Sequence, residues 1–284
     1  VFQTFNLVSY LTALENVQIP LYLAGFSDAK QNQRATELLQ RVGLGDRLDH
    51  KPTELSVGQQ QRVALGRSLI LRPKILLLDE PLAALDRKLR KDMQGELIRI
   101  QQEVGITFFY VTHDQKVALA ISDTIAVMKD GTLEQIGSPE EIYDTPKTRF
   151  VADFMGATNI FPGRVIARNG EEIKLETGSG LKLVALADKA SGIEEIKGIC
   201  VHPERINVLS ADTDAKMDNQ INGRIVGMMY QGDYVELKIH LLGDKEYERV
   251  TARLNARLSR KDNFVVGQEV TVQWDKEGSS VLQG

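Results

Sequence analysis

Among its 284 residues the chain has one cysteine, one tryptophan and eight prolines. A single cysteine excludes an internal disulfide and suits a reducing compartment. Cys200 lies in the run Gly198-Ile199-Cys200-Val201, where a buried small hydrophobe on a strand is the expected role. No apolar run approaches the roughly 18 to 20 residues of a membrane-spanning helix, so membrane association is expected only through a partner. The formal net charge of −4 offers a polyanion nothing, and no basic cluster accompanies the seven Tyr, nine Phe and single Trp. Nucleic-acid binding is therefore not expected. The chain opens on valine with no signal-peptide pattern behind it, which reads as an excerpt rather than a native start.

Apolar residues make up 42% and charged ones 26%, the proportions of an ordinary globular protein. The length predicts about two domains, each able to bury a core. The informative stretch is residues 55–86, LSVGQQQRVALGRSLILRPKILLLDEPLAALD. Leu55-Ser56-Val57-Gly58-Gln59 leads into a helical pattern running to about Leu71. A helix start carries unpaired N–H groups and the positive end of a dipole, a seat for an anion. Ser56 adds a hydroxyl there, and Gly58 lets the backbone approach a ligand closely. Ile75-Leu76-Leu77-Leu78 reads as a fully buried parallel strand. Asp79 and Glu80 stand at its C-terminal end, where open α/β sheets bind ligands. If the strand runs through both carboxylates, they face opposite ways.

These residues resemble the ATP-binding cassette (ABC) ATPases. LSVGQ matches the family signature LSGGQ, with Val57 in place of its first Gly. ILLLDEP matches the Walker B strand, and Ala83-Ala84-Leu85-Asp86 matches the D-loop SALD with Ala83 replacing Ser. The resemblance implies an α/β fold: part of a P-loop NTPase domain, with a parallel sheet and a helical subdomain over about residues 11–72. It also implies ATP and Mg2+ as cofactors. Asp79 would hold the magnesium, mostly through water, and Glu80 would polarise the water that attacks the γ-phosphate. Ser56, Gly58, Gln59 and Asp86 would contact nucleotide held between two copies. Gln3, in Phe2-Gln3-Thr4-Phe5-Asn6-Leu7, fits the family's FQ-x-x-x-L and would be the Q-loop residue that reaches magnesium and the attacking water. His113, in Thr112-His113-Asp114 after a strand over residues 106–111, resembles the H-loop. Strand order puts it at the same sheet edge as Asp79 and Glu80, where it would sense the γ-phosphate as a donor. In isolation, a loop glutamine, a histidine after a strand or an Asp-Glu pair is more often structural. The neighbouring motifs, in family order and spacing, reverse that balance.

The remaining patterns of this half carry structure. Ala35, Leu38, Leu39 and Val42 form one helix face that stops at Gly43. Leu89, Met93, Leu97, Ile100 and Val104 form the stripe of a helix ended by Gly105. Residues 115–121 read as a short helix and 124–136 as a hairpin turning at Asp130-Gly131. Ser138-Pro139-Glu140-Glu141 reads as a helix start. The segment TFNLVSYLTALENVQIPLYLAG resembles the lipoprotein-release and macrolide-export branch of the family, whereas residues after about Pro73 resemble importers.

After about Gly156 helical periodicity gives way to short alternating segments. The expected domains are 1–145 (ATPase), 146–157 (a linker helix) and 158–284 (a small β-barrel). Asn159-Ile160-Phe161-Pro162-Gly163-Arg164-Val165-Ile166 is echoed by Asn219-Gln220-Ile221-Asn222-Gly223-Arg224-Ile225-Val226, a repeat that predicts two related β-units. This half resembles the oligonucleotide-binding-like barrel, called TOBE, of importer ATPases. His202 departs from it, because His202-Pro203-Glu204 stands where those proteins usually read RPE.

No Gly-Lys dipeptide occurs anywhere, so the chain lacks the P-loop G-x-x-x-x-G-K-[ST] that wraps nucleotide phosphates. The family places that loop before the Q-loop, where this chain begins. The expectation is an N-terminally shortened ATPase, inactive by itself, with an exposed sheet edge and an uncovered apolar face. The implied whole is the nucleotide-binding subunit of an importer of the polyamine, ferric-iron or sugar group, leaning to spermidine or putrescine, peripheral on the cytoplasmic face of the cell membrane. Its implied partners are permease subunits, a second copy of itself and, indirectly, a solute-binding protein. Two alternatives stay open at this point: a non-catalytic regulatory or binding remnant, and an export-type ATPase.

Overall fold

Thr12 opens the first helix by accepting a hydrogen bond from the Glu15 amide, while the Glu15 carboxylate takes the Thr12 N–H in return. This capping box is the pairing that the Thr-x-x-Glu spacing encodes. The computed structural model describes residues 5–83, 85–156, 159–187, 192, 195–210, 216–242, 248–257 and 263–283. Its chain divides into two units, Val1–Ile121 and Ser122–Gly284.

In the first unit, α1 (Ala13–Leu23), α2 (Asp28–Arg41) and α3 (Val57–Leu69) precede β1 (Ile75–Asp79). Then follow α4 (Arg87–Val104), β2 (Thr107–Val111) and α5 (Gln115–Ile121). α2 buries Ala35 and Leu39, and the chain turns away at Gly43 with φ 71°. α4 buries Met93, Leu97 and Ile100 and ends at Gly105 in the left-handed region. Side chains from all four longer helices share one core with Leu76 and Leu78. β1 and β2 pair in parallel, with Leu77 opposite Phe109 and Asp79 opposite Val111.

One expectation is corrected here. β1 is not buried on both faces: Leu76 and Leu78 are buried, but Ile75 and Leu77 are 57% and 63% exposed. Phe109 and Val111 of β2, which lie across from Leu77 and Asp79, are exposed as well. The sheet of this unit has two strands among the described residues, and its helices pack on one side only. Four aliphatics in a row hid an in–out alternation. The uncovered apolar face expected from the sequence is present.

In the second unit, β3 (Ile125–Lys129) and β4 (Thr132–Gly137) form the expected hairpin, with Asp130 and Gly131 both at positive φ in its turn. α6 (Pro139–Asp144) starts with a Ser138–Glu141 capping box, and α7 (Arg149–Phe154) lies in the expected linker segment. The rest is all β: β5 (Asn159–Asn169), β6 (Glu172–Thr177), β7 (Lys182–Leu186), β8 (Ile196–Val201), β9 (Asn207–Ser210), β10 (Asn219–Tyr230), β11 (Tyr234–Leu241), β12 (Glu248–Asn255), β13 (Glu269–Trp274) and β14 (Ser279–Gln283). They form two five-stranded sheets, ordered β14-β8-β5-β6-β7 and β12-β11-β10-β13-β9. Their inner faces share one core, in which Phe161 and Trp274 stack at 5.7 Å.

The internal repeat is structural. β5 and β10 carry its two copies, and each is interrupted by a bulge at the equivalent step, between Val165 and Ala167 and between Ile225 and Gly227. Gly163 and Gly223 are each backed by a neighbouring strand so closely that a Cβ would meet a backbone carbonyl oxygen, at 2.6 Å from Glu176 and 3.0 Å from His240.

Candidate active site at the ends of the parallel strands

Because β1 and β2 run parallel, their C-terminal ends deliver Asp79-Glu80 and Thr112-His113-Asp114 to one edge. The ladder continues one step past β1, since the Glu80 amide donates to the Val111 carbonyl at 2.9 Å. The strand itself stops at Asp79, and Glu80 adopts φ 44°, a left-handed conformation that costs a non-glycine residue about 1 kcal/mol or more. The strict alternation expected of the two carboxylates therefore breaks between them. Asp79 stays on the exposed face with Ile75 and Leu77, while the Glu80 side chain is 27% exposed. Glu80 Oε1 lies 2.5 Å from His113 Nδ1. An ionised carboxylate can only accept, so the imidazole holds its proton on that nitrogen. A cleft of about 280 Å³ opens beside the pair, lined among others by Pro81, Arg90, Tyr110 and Thr112.

The signature residues are arranged differently. Ser56 caps α3: its hydroxyl accepts from the Gln59 amide at 3.3 Å, and the Gln59 side-chain oxygen accepts the Ser56 N–H at 2.9 Å. Both side chains serve the capping box, and the Val57 and Gly58 amides lie outside it. Gly58 is buried, and a Cβ there would approach Leu89 Cδ1 to 3.2 Å, so packing of α3 on α4 already accounts for a glycine. Asp86 caps α4 by accepting from the Leu89 amide at 2.9 Å. Gln3 lies outside the described residues, as does Ala84. Glu80 and His113 are thus brought into contact, Asp79 shares their edge, and Ser56 and Gln59 pair with each other.

Some connections had no signal in the motifs. Arg67, late in α3, donates to the Phe5 and Asn6 carbonyls at 2.8 Å each. Asn16 of α1, fully buried, takes the Val8 amide and donates to the Val8, Leu11 and Thr12 carbonyls. The segment that follows Gln3 is thereby tied to two helices. A lone Arg and a lone Asn on helical faces announce nothing in sequence, because their partners are main-chain atoms.

For metal, the described residues contain no group of three or more His, Cys, Asp or Glu placed to hold an ion. The exposed carboxylate of Asp79 at the strand tip suits an ion that keeps most of its ligands as water and phosphate, as Mg2+ does.

Comparison with known proteins decides the family. The ABC transporter family profile matches residues 1–83, and the TOBE domain profile matches residues 199–282. Spermidine/putrescine import ATP-binding protein PotA of Pseudomonas aeruginosa is 40% identical over 274 residues, covering 96% of this chain and 75% of that protein. This chain belongs to the ABC transporter ATP-binding proteins. The protein of the same name from Trichormus variabilis is 43% identical over 244 residues, 85% of this chain and 64% of that one. Among solved structures, the dimeric post-hydrolysis state of the ATP-binding cassette MJ0796 bound to ADP and Pi is 41% identical, covering 49% of this chain and 61% of that chain at a TM-score of 0.42. An ABC ATPase binds ATP, and this one carries a C-terminal TOBE domain within its all-β part. No helix among the described residues is long and apolar enough to cross a membrane.

Proposed function

We propose that these residues belong to the ATP-hydrolysing subunit of an importer, with a polyamine of the spermidine or putrescine type as cargo. The Glu80–His113 contact at the ends of the parallel strands carries the catalytic part of this reading. Glu80 orients and polarises the attacking water, and His113 holds the Glu80 carboxylate with one ring nitrogen and turns the other toward the γ-phosphate. Gln3 helps to place the same water. Asp79, with Gln3, holds Mg2+, which when bound neutralises charge on the transferring phosphoryl group. Ser56, Gly58 and Gln59 close over nucleotide held by a second copy, and Asp86 sits at that same interface. ATP joins the two copies, hydrolysis at Glu80 releases them, and the motion passes to permease subunits that receive cargo from a solute-binding protein. The subunit then lies on the cytoplasmic face of the membrane. Import and polyamine are supported by the names of the relatives, which align over 85 to 100% of the chain.

The 284 residues contain no Gly-Lys step, so by themselves they do not turn ATP over. Two measurements test the proposal. The purified chain alone should hydrolyse ATP no faster than its Glu80→Gln form. The same residues joined behind a P-loop strand, loop and helix, and assembled with the permease, should hydrolyse ATP, and Glu80→Gln should lower the rate about 10²-fold or more while trapping a nucleotide-bound pair. A Glu80→Gln protein that keeps full turnover defeats the reading.

A further inference from the structure

The contact between Glu80 and His113 depends on two corners of the chain, one leaving each strand. Glu80 runs into the turn at residues 81–83, with Leu85 beyond it, and His113 into the corner at Asp114 that starts α5. Asp114 caps that helix with Oδ1, which accepts from the Lys116 and Val117 amides at 3.0 and 3.2 Å. Its other oxygen, Oδ2, accepts from Arg90 at 2.9 Å, and a second guanidinium nitrogen of Arg90 donates to the Leu85 carbonyl at 3.0 Å. One planar side chain on α4 therefore spans both corners. At the other end of the turn, Gln61 of α3 donates to the Pro81 carbonyl at 2.7 Å from a fully buried position.

Among the described residues, both braces leave a polar atom buried without a hydrogen-bond partner, Gln61 Oε1 and Arg90 Nε. Such atoms cost stability, and apolar side chains of similar shape would fill the space without that cost. Stability alone therefore gives a weak account of these residue types, and placement of the turn gives a better one.

Resting on the proposed role of Glu80, we infer that Arg90 and Gln61 are positioning residues for hydrolysis. They fix the Glu80 carboxylate relative to His113. Gln61 lies two residues beyond Gln59 on the same helix, so it makes that placement depend on where the signature-bearing α3 stands. Closure of the signature over nucleotide is thereby linked to the alignment of the water-orienting carboxylate.

The test is steady-state ATP hydrolysis by the P-loop-bearing subunit assembled with its permease, for Arg90→Met, Gln61→Met and Arg90→Lys, each also in the Glu80→Gln background. Arg90→Met and Gln61→Met should lower kcat about 10-fold or more, since small misplacements of reacting groups have effects of that size, with KM for ATP within about twofold. Arg90→Lys should recover part of the loss, because an ammonium can meet one of the two oxygens but cannot fork between them. In the Glu80→Gln background Arg90→Met should cause no further loss, as expected for residues acting as one unit. Urea midpoints identify any variant that has lost its fold, and Arg90→Lys and Gln61→Met carry the test if Arg90→Met does. Full kcat in Arg90→Met and Gln61→Met beside an inactive Glu80→Gln overturns the inference alone, as does an equal further loss in the Glu80→Gln background. Full turnover in Glu80→Gln removes the underlying reading and this one with it.

Discussion

Asn159 and Asn219 stand at equivalent positions of the repeat, and each clamps the backbone of a strand in the opposite sheet. The Asn159 side chain accepts the Thr251 amide at 2.7 Å and donates to the Thr251 carbonyl at 2.8 Å. The Asn219 side chain accepts the Val184 amide at 2.7 Å and donates to the Val184 carbonyl at 2.9 Å. Thr251 lies on β12 and Val184 on β7, each an edge strand of its sheet. The two clamps thus take up main-chain groups of two half-buried edge-strand residues, and they join the sheets by pseudo-twofold symmetry.

Replacing either asparagine by alanine strands an amide and a carbonyl. Asn159→Ala and Asn219→Ala should each destabilise the barrel by about 1 to 3 kcal/mol. Trp274, the single tryptophan, is fully buried in this core, so urea unfolding followed by its fluorescence reads the change directly.

The equivalent glycines give a graded prediction. At Gly163 a Cβ would lie 2.6 Å from the Glu176 carbonyl oxygen, a backbone atom that cannot swing aside. At Gly223 the corresponding oxygen, on His240, is 3.0 Å away, and the closest atom is a methyl of Ile239. Both substitutions to alanine should overpack the barrel, at a cost of about 1 to 3 kcal/mol, and Gly163→Ala should be the more damaging. The same fluorescence midpoints check the order.

Stability of this domain should fall at alkaline pH. Cys200 is buried on β8, and burial pushes its thiol up to about 12. The folded state keeps a proton that the unfolded chain releases from about pH 9, so unfolding gains favour as pH rises from about 9 toward 12. Cys200 contributes at most about 1.4 kcal/mol per pH unit over that window. The Tyr143 phenol is raised in the same direction, by burial and by its hydrogen bond to Glu204, and adds to the loss at the upper end. Urea midpoints of the parent and of Cys200→Ala should converge toward high pH, with the variant flatter between pH 9 and 12.

Legibility in the sequence followed where the partners are. Caps and turns were readable where the partners are close in sequence: Ser138 with Glu141, and Asp130-Gly131 in its hairpin. The repeat was readable because the same bulge and the same glycine recur on β5 and β10. The exposed side of β1 was not, because Ile75 and Leu77 are as apolar as Leu76 and Leu78, and only the missing cover distinguishes them. Asp86 was read for chemistry, and its visible work is capping α4. His202 stood out as a departure without a reason. Here its ring stacks on Tyr143 at 4.0 Å and donates from Nε2 to the Tyr143 carbonyl at 2.8 Å, a contact across 59 residues that no local pattern encodes.

The uncovered face of the first unit predicts how the chain behaves in solution. Ile75, Leu77, Phe109 and Val111 present a contiguous apolar strip on two paired strands, each about half exposed or more. Burial stabilises such surface by about 25 cal/mol per Å², so two strips that meet remove it from water together, and unpaired strand edges add hydrogen bonds. The purified 284-residue chain should therefore self-associate in a concentration-dependent way. Leu77→Lys with Phe109→Lys places two like charges directly opposite each other on that face, and should return the chain to a monomer in light scattering. Neither side chain belongs to the buried core, so the double variant should keep the helical signal of the parent in circular dichroism. A parent that stays monomeric at high concentration, or a double variant that associates as strongly, would show that this strip does not drive association.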